Sequence, residues 1–210
     1  MEGDFPDSPM DLLKLPETIR TYHRLGVRGI EIDSVQEIQI GFQFLRYWLM
    51  IHLLNDFDFN FEKGLGEFLD AYYGAAAGPI WDFIELSSDP RMYEPATAKR
   101  AASWYTEGSP KWQELRQNCL LNWRMFSRAG IERSYELFEK ARAAVADEPL
   151  ALQQVLPARM TLQYAVLEKL PADDPRLESE AEAFIKLGEE LALRCVKDAT
   201  LKEYATKVID

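Results

Sequence analysis

Apolar positions along this chain recur mostly at helical spacing, and one short segment breaks that rule. From Gly41 to Asn55 the sequence is apolar almost all round, the pattern of a helix covered on most sides. Phe61 to Tyr73 predicts a second helix closed by Gly74, and Ala75 to Leu86 a third, with Pro79 tolerated near its start. Gly64 and Gly66 each weaken the second helix by about 1 kcal/mol relative to alanine, so tertiary packing must hold it. Ser109-Pro110 opens a longer helix in the cap-then-proline manner, running through Trp112, Leu115, Cys119, Trp123 and Phe126. Gly130 predicts a bend before Ile131 to Ala146. Further helices are predicted from Leu150 to Leu170, kinked near Pro157, from Arg176 to Arg194 behind Asp174-Pro175, and from Leu201 to Val208. Long helices with short connections imply an antiparallel bundle.

The exception lies near the start. Met1 to Pro16 reads as irregular, and a helix from Pro16 to Leu25 stops at Gly26. Val27-Arg28-Gly29-Ile30-Glu31-Ile32-Asp33 then alternates with period two, as a strand does. A lone strand leaves its backbone N–H and C=O groups without partners, which is costly when they are buried. Either a weak strand elsewhere completes the sheet or the sheet lies outside this sequence, and the second is the expectation. Helix, glycine, strand, loop and helix in that order is the rhythm of an α/β unit.

Composition narrows the class. With 47% apolar and 12% aromatic residues the chain is a folded protein. Its net charge of −11 argues against nucleic acid, which needs a basic face; the acidity reads as a solvated helical surface. Cys119 and Cys195 match no metal or redox spacing and read as buried small hydrophobes. No signal peptide is legible, and a secreted or periplasmic parent stays open. The most apolar stretch, Phe44 to Leu54, contains Arg46 and His52 and is too short to span a bilayer, so no membrane partner is expected. His23 and His52 are too few and too isolated for a metal site, and His52 reads as a core histidine. No cofactor motif is present: phosphate loop, zinc motif and nucleophile elbow are all missing.

Glu31 and Asp33 share one face of the predicted strand, at its C-terminal end, while Ile30 and Ile32 share the other. Paired carboxylates carry sugar hydrolysis, one donating a proton and the other acting as base or nucleophile. The bland alternative is a solvated acidic strand end. Arg46, on an otherwise apolar helix, needs a partner, and Glu31, Asp33 or Glu37 would supply it; a structural ion pair competes with a sugar-binding role. Trp81, Tyr93, Trp104 and Tyr105 flank or occupy the long connection from Ser87 to Gly108. Aromatic faces bind sugar rings, and for Trp104 and Tyr105 that reading stands level with interhelical packing. Trp112 and Trp123, at helical spacing, read as packing residues.

Three stretches resemble a bacterial family known as domain of unknown function 4838: Leu15 to Asp33, LPETIRTYHRLGVRGIEID; Phe44 to Leu54, FLRYWLMIHLL; and Gly66 to Phe83, GEFLDAYYGAAAGPIWDF. The third is the most specific, and the likeness loosens after Phe83, with Leu137 to Tyr204 matching only broadly. Members of that family look like glycoside hydrolases related to α-glucuronidases. The resemblance implies most of a (β/α)8 barrel upstream of Met1, in which the C-terminal ends of the strands form the catalytic face. It carries over only Glu31, Asp33 and Arg46 as residues near a site, and leaves the general acid unassigned. Two departures put substrate contacts in doubt: Asn55-Asp56-Phe57 stands where relatives have an aromatic-Asx-Pro, and Gln43-Phe44 where they have Glu.

The expected fold is mainly α: a C-terminal helical bundle preceded by the last strand and helix of an otherwise absent barrel. Residues 1–40 would be the barrel remnant, 41–86 helices packing on the barrel, 87–109 a long connection and 110–210 a C-terminal helical domain. The expected function is the C-terminal part of a glycoside-hydrolase-like, carbohydrate-active protein, inactive alone, whose partners are the missing barrel and a saccharide. Two rivals stand beside it. One is a helical interaction module that closes a homodimer, because the Gly41–Asn55 helix must be covered by something; the other is a carbohydrate-binding helical domain without hydrolysis.

Overall fold

The computed structural model describes residues 9–30, 41–89, 127–169 and 173–190. These residues form a helical protein, and among them there is no β-strand. A 3-10 helix, Pro9–Lys14, leads into α1 (Leu15–Arg24). There follow α2 (Gln43–Asn55), α3 (Phe61–Tyr73), a 3-10 turn Gly74–Ala76, and α4 (Ala77–Ser88). Then come α5 (Arg128–Ala144), α6 (Pro149–Lys169) and α7 (Leu177–Glu190). The expected helical character and the expected positions of α1 to α4 and α6 hold to within two residues at most ends.

Pro9–Lys14 corrects the expectation of an irregular start, and Leu12 within it is fully buried. Pro16 occupies the first turn of α1, where its missing N–H costs nothing. Gly26, at a φ of 79°, ends that helix. Its N–H donates to the His23 carbonyl at 3.0 Å, and the Val27 N–H donates to the Tyr22 carbonyl at 3.1 Å. The first amide of the expected strand is thus spent on closing the helix. Val27 to Ile30 form neither helix nor sheet pairing, and Glu31 to Asp33 lie outside the described residues.

α3 starts where Asn60 accepts a hydrogen bond from the Lys63 backbone N–H at 3.1 Å, relieving one of the amides a helix start leaves unpaired. It runs through two glycines for different reasons. A Cβ on Gly64 would fall 2.1 Å from the tip of the Phe59 ring, so the glycine makes room for that ring. A Cβ on Gly66 would meet nothing within 4 Å. Gly74, at a φ of 55°, ends α3 in a conformation that suits glycine and lets the chain turn into α4.

α5 begins earlier than Gly130 suggested. Ser127 accepts from the Gly130 N–H at 3.1 Å, which places Gly130, buried, in the first turn instead of at a bend. The expected portion from Ser109 to Phe126 lies outside the described residues. α6 carries Pro157 in its interior, and the Gly41 N–H donates to the Pro157 carbonyl at 3.1 Å. That bond ties the entrance of α2 to the middle of α6.

α4 packs against α5, the first 3-10 helix and α3, while α6 lies against α5, α7 and α3. One buried cluster runs from Leu12 and Ile19 through Leu49, Leu65, Ile80 and Phe83 to Phe138, Tyr164 and Phe184. Full burial of such a side chain stabilises by about 1.5–3 kcal/mol, so this cluster is the main force holding the helices together. The helices of 41–86 and those beyond 127 share it.

Candidate functional site

Most residues singled out for carbohydrate chemistry fall outside the described residues: Glu31, Asp33, Tyr93, Trp104 and Tyr105, together with Cys119 and Cys195. Arg46 is half-buried on α2, and its expected partners Glu31, Asp33 and Glu37 also lie outside. Trp81 is half-buried on α4. His52 is half-buried, stacked on Phe59 at 4.9 Å and tilted against Trp48 at 4.2 Å, in keeping with its reading as a packing histidine. His23 stacks on Phe57 at 3.9 Å, which pins the loop after α2 to α1.

Two constellations stand out. The first is an aromatic face on α2 and α3. α2 buries Leu45, Leu49 and Leu53 against the core. Its opposite side carries Phe44, Trp48 and Ile51, spaced i, i+4 and i+7 and therefore on one stripe. Phe44 is 51% exposed and Ile51 56% exposed. Phe44 stacks on Tyr72 at 5.8 Å, Tyr72 on Phe68 at 5.1 Å, and Phe68 lies 5.4 Å from Trp48. The rings form a continuous layer across both helices. Partial burial pushes the Tyr72 phenol above its ordinary pKa, so it stays neutral. Beyond Tyr72 the layer opens into a groove between α3 and the start of α6, bordered by Gly74, Glu148 and Leu150, the last 78% exposed.

The second is an ionic clasp joining α5, α6 and α7. Arg159 donates from both terminal nitrogens to Glu180, at 2.6 and 3.0 Å, and both residues are more than nine-tenths buried. Arg176 forks between Glu132 and Asp174, with bonds of 2.8 to 2.9 Å to each. The Tyr135 ring sits between the two arginines, 5.8 Å from Arg159 and 5.2 Å from Arg176. Burial, and next the nearby Glu180 carboxylate, push the Tyr135 phenol well up. Hydrogen bonds from Arg176, through its side chain and then its backbone N–H, hold Asp174 down at about 2.

The clasp is suited to holding helices together. Its buried and half-buried carboxylates are all engaged by arginine, so their lone pairs are already taken up within the clasp. Among the described residues no group of three or more His, Cys, Asp and Glu side chains is placed to hold a metal ion. No helix there is long and apolar enough to cross a membrane. The aromatic layer is suited to contact. The sequence reading named Phe44 only as a departure from the resembled family and did not single out Ile51 or Tyr72, although the signal was present: a helix apolar all round must show one side to something other than its own core. Comparisons with protein-family models, with curated proteins and with solved structures give no match.

Proposed function

We propose that this chain is a helical protein-interaction module that docks through the outer face of α2. The observation that carries the reading is the exposure of Phe44 and Ile51 on the side of α2 away from the leucines it gives to the core, with half-buried Trp48 between them. Large apolar side chains left in water at helical spacing cost solubility and give the fold little. A saccharide fits this face less well, because sugar rings need open aromatic faces. Here Phe44 and Tyr72 lie within 19° of parallel with centroids 5.8 Å apart, so each ring takes up part of one face of the other.

The test is a separation of surface from stability. Replacing Ile51 with Glu, a good helix former, should change unfolding free energy by less than about 0.5 kcal/mol, as exposed substitutions do. Urea melts of the two purified proteins read this directly. A loss above about 2 kcal/mol would place Ile51 in the core and overturn the reading.

A second reading treats the chain as the C-terminal part of a glycoside-hydrolase-like protein, inactive alone. It rests on the resemblance of Leu15 to Asp33, Phe44 to Leu54 and Gly66 to Phe83. What supports it structurally is the same exposed side of α2, which offers a barrel domain a surface to sit on. Under this reading a panel of aryl glycosides is left unhydrolysed by the isolated chain, and robust turnover would contradict it.

A further inference from the structure

We infer that α7 is a releasable arm: it lifts from α5 and α6 as one unit while the other described helices stay folded, and the arginine clasp sets how often it does so.

The seat of α7 is the first argument. Among the described elements α7 packs on α6. Its inner side buries Leu177, Glu180, Ala181, Phe184 and Gly188. Of these, Leu177 and Phe184 are large and apolar; the others bring a carboxylate, a methyl group and bare backbone. Ile185 and Leu187 reach the core from half-buried positions. The outer side, with Glu178, Glu182, Lys186 and Glu189, is exposed. α3, a helix of 13 residues against 14, buries Phe61, Leu65, Phe68, Leu69 and Tyr73. The free energy of a local opening follows the apolar surface that the element gives up, so α7 opens at less cost than α3.

The chemistry of the catch is the second. Lifting α7 returns buried Arg159 and Glu180 to water together. The hydration that both ions regain offsets most of the attraction they lose. Deleting one partner in the closed seam is a different event, because it strands the other charge. The turn before α7 reaches α5 through Arg176, whose two terminal nitrogens bond Glu132 at 2.8 Å. Those side chains are 31% and 45% exposed, so water can take over their bonds one at a time. A seam of this kind fixes position closely and still parts readily, as the polar interfaces between movable domains do.

Native-state hydrogen exchange of the full chain, read by peptide mass spectrometry where closing outruns exchange, tests the inference. The amides of Ala181 to Glu190 should exchange as a group, at least about tenfold faster than the most protected amides of α3 and α4. Asn60→Ala removes the cap of α3 and should speed those core amides about fivefold, as loss of a cap does. It should leave the α7 amides within about twofold of their rate, because α3 stays formed while α7 is open. Glu132→Gln should speed the α7 amides about fivefold, because it breaks the Arg176 fork that holds the seam closed. Circular dichroism verifies that both variants fold. α7 amides as slow as those of α3, or following Asn60→Ala as fully as they do, overturn the inference, because α7 then opens only with the whole molecule. α7 amides that Glu132→Gln leaves unmoved overturn it too, because the clasp then does not set the opening.

Discussion

Arg159 on α6 and Glu180 on α7 meet end to end, with two guanidinium nitrogens on one carboxylate and both side chains nearly out of water. Desolvating two charges offsets much of their attraction, so such a pair adds little net stability while its rupture costs a great deal. Glu180→Gln should lose about 3–5 kcal/mol, because it strands a buried guanidinium. The double variant Arg159→Met, Glu180→Leu should recover most of that loss. Urea denaturation of the single and double variants reads both. A Glu180→Gln protein as stable as the parent would show that the clasp is already wet.

Asp174 gives the acid limb of stability a specific contributor. Its carboxyl is held at about 2 against an ordinary 3.8 by the Arg176 side chain and backbone N–H, with Arg128 nearby at 3.8 Å. A group whose folded pKa is depressed stabilises the fold above its unfolded value and loses that contribution as pH falls through the folded one. Thermal midpoints measured from pH 5 downward should therefore fall between about pH 4 and pH 2. Asp174→Asn should be less stable at neutral pH and show a shallower fall in that window. Parallel curves for the two proteins would rule Asp174 out as the titrating group.

The glycines of α3 should respond in opposite directions. Gly66→Ala adds a methyl where nothing lies within 4 Å, and should stabilise by about 0.5–1 kcal/mol through helix propensity. Gly64→Ala drives a methyl into the Phe59 ring, and overpacking of about 1–3 kcal/mol should outweigh the same propensity gain. Differential scanning calorimetry of the two variants checks the sign of each.

Asn60 and Ser127 cap α3 and α5 by the same device, a side-chain oxygen accepting a backbone N–H at 3.1 Å. Asn60→Ala and Ser127→Ala should each lose about 1 kcal/mol. The two sites share no partner, so the losses should add. A single variant that loses nothing would mean that its cap is not formed, and a double variant that departs from the sum would mean that the two sites are coupled.

Helices were legible in this sequence wherever one apolar side faced a polar one or a glycine marked the end. Phe61–Tyr73 followed by Gly74 matches residue for residue. Elsewhere local signals competed. Gly130 looks like a breaker, but Ser127 three residues earlier supplies a cap that makes it part of a first turn. Met1 to Pro16 reads as irregular from its prolines, yet burial of Leu12 draws Pro9–Lys14 into a 3-10 helix. The α2 stripe was half legible, since periodicity cannot say which side of an evenly apolar helix meets the core. The clasp was not legible at all. Glu132, Arg159 and Glu180 come from three helices and Arg176 from the turn before α7, and no local spacing announces their pairing.

The bond from the Gly41 amide to the Pro157 carbonyl makes one proton a witness to two distant parts of the chain. Deuterium can replace that proton only when the entrance of α2 lifts away from mid-α6. Its exchange rate therefore times the separation of those helices, a motion that the amides paired within either helix do not report.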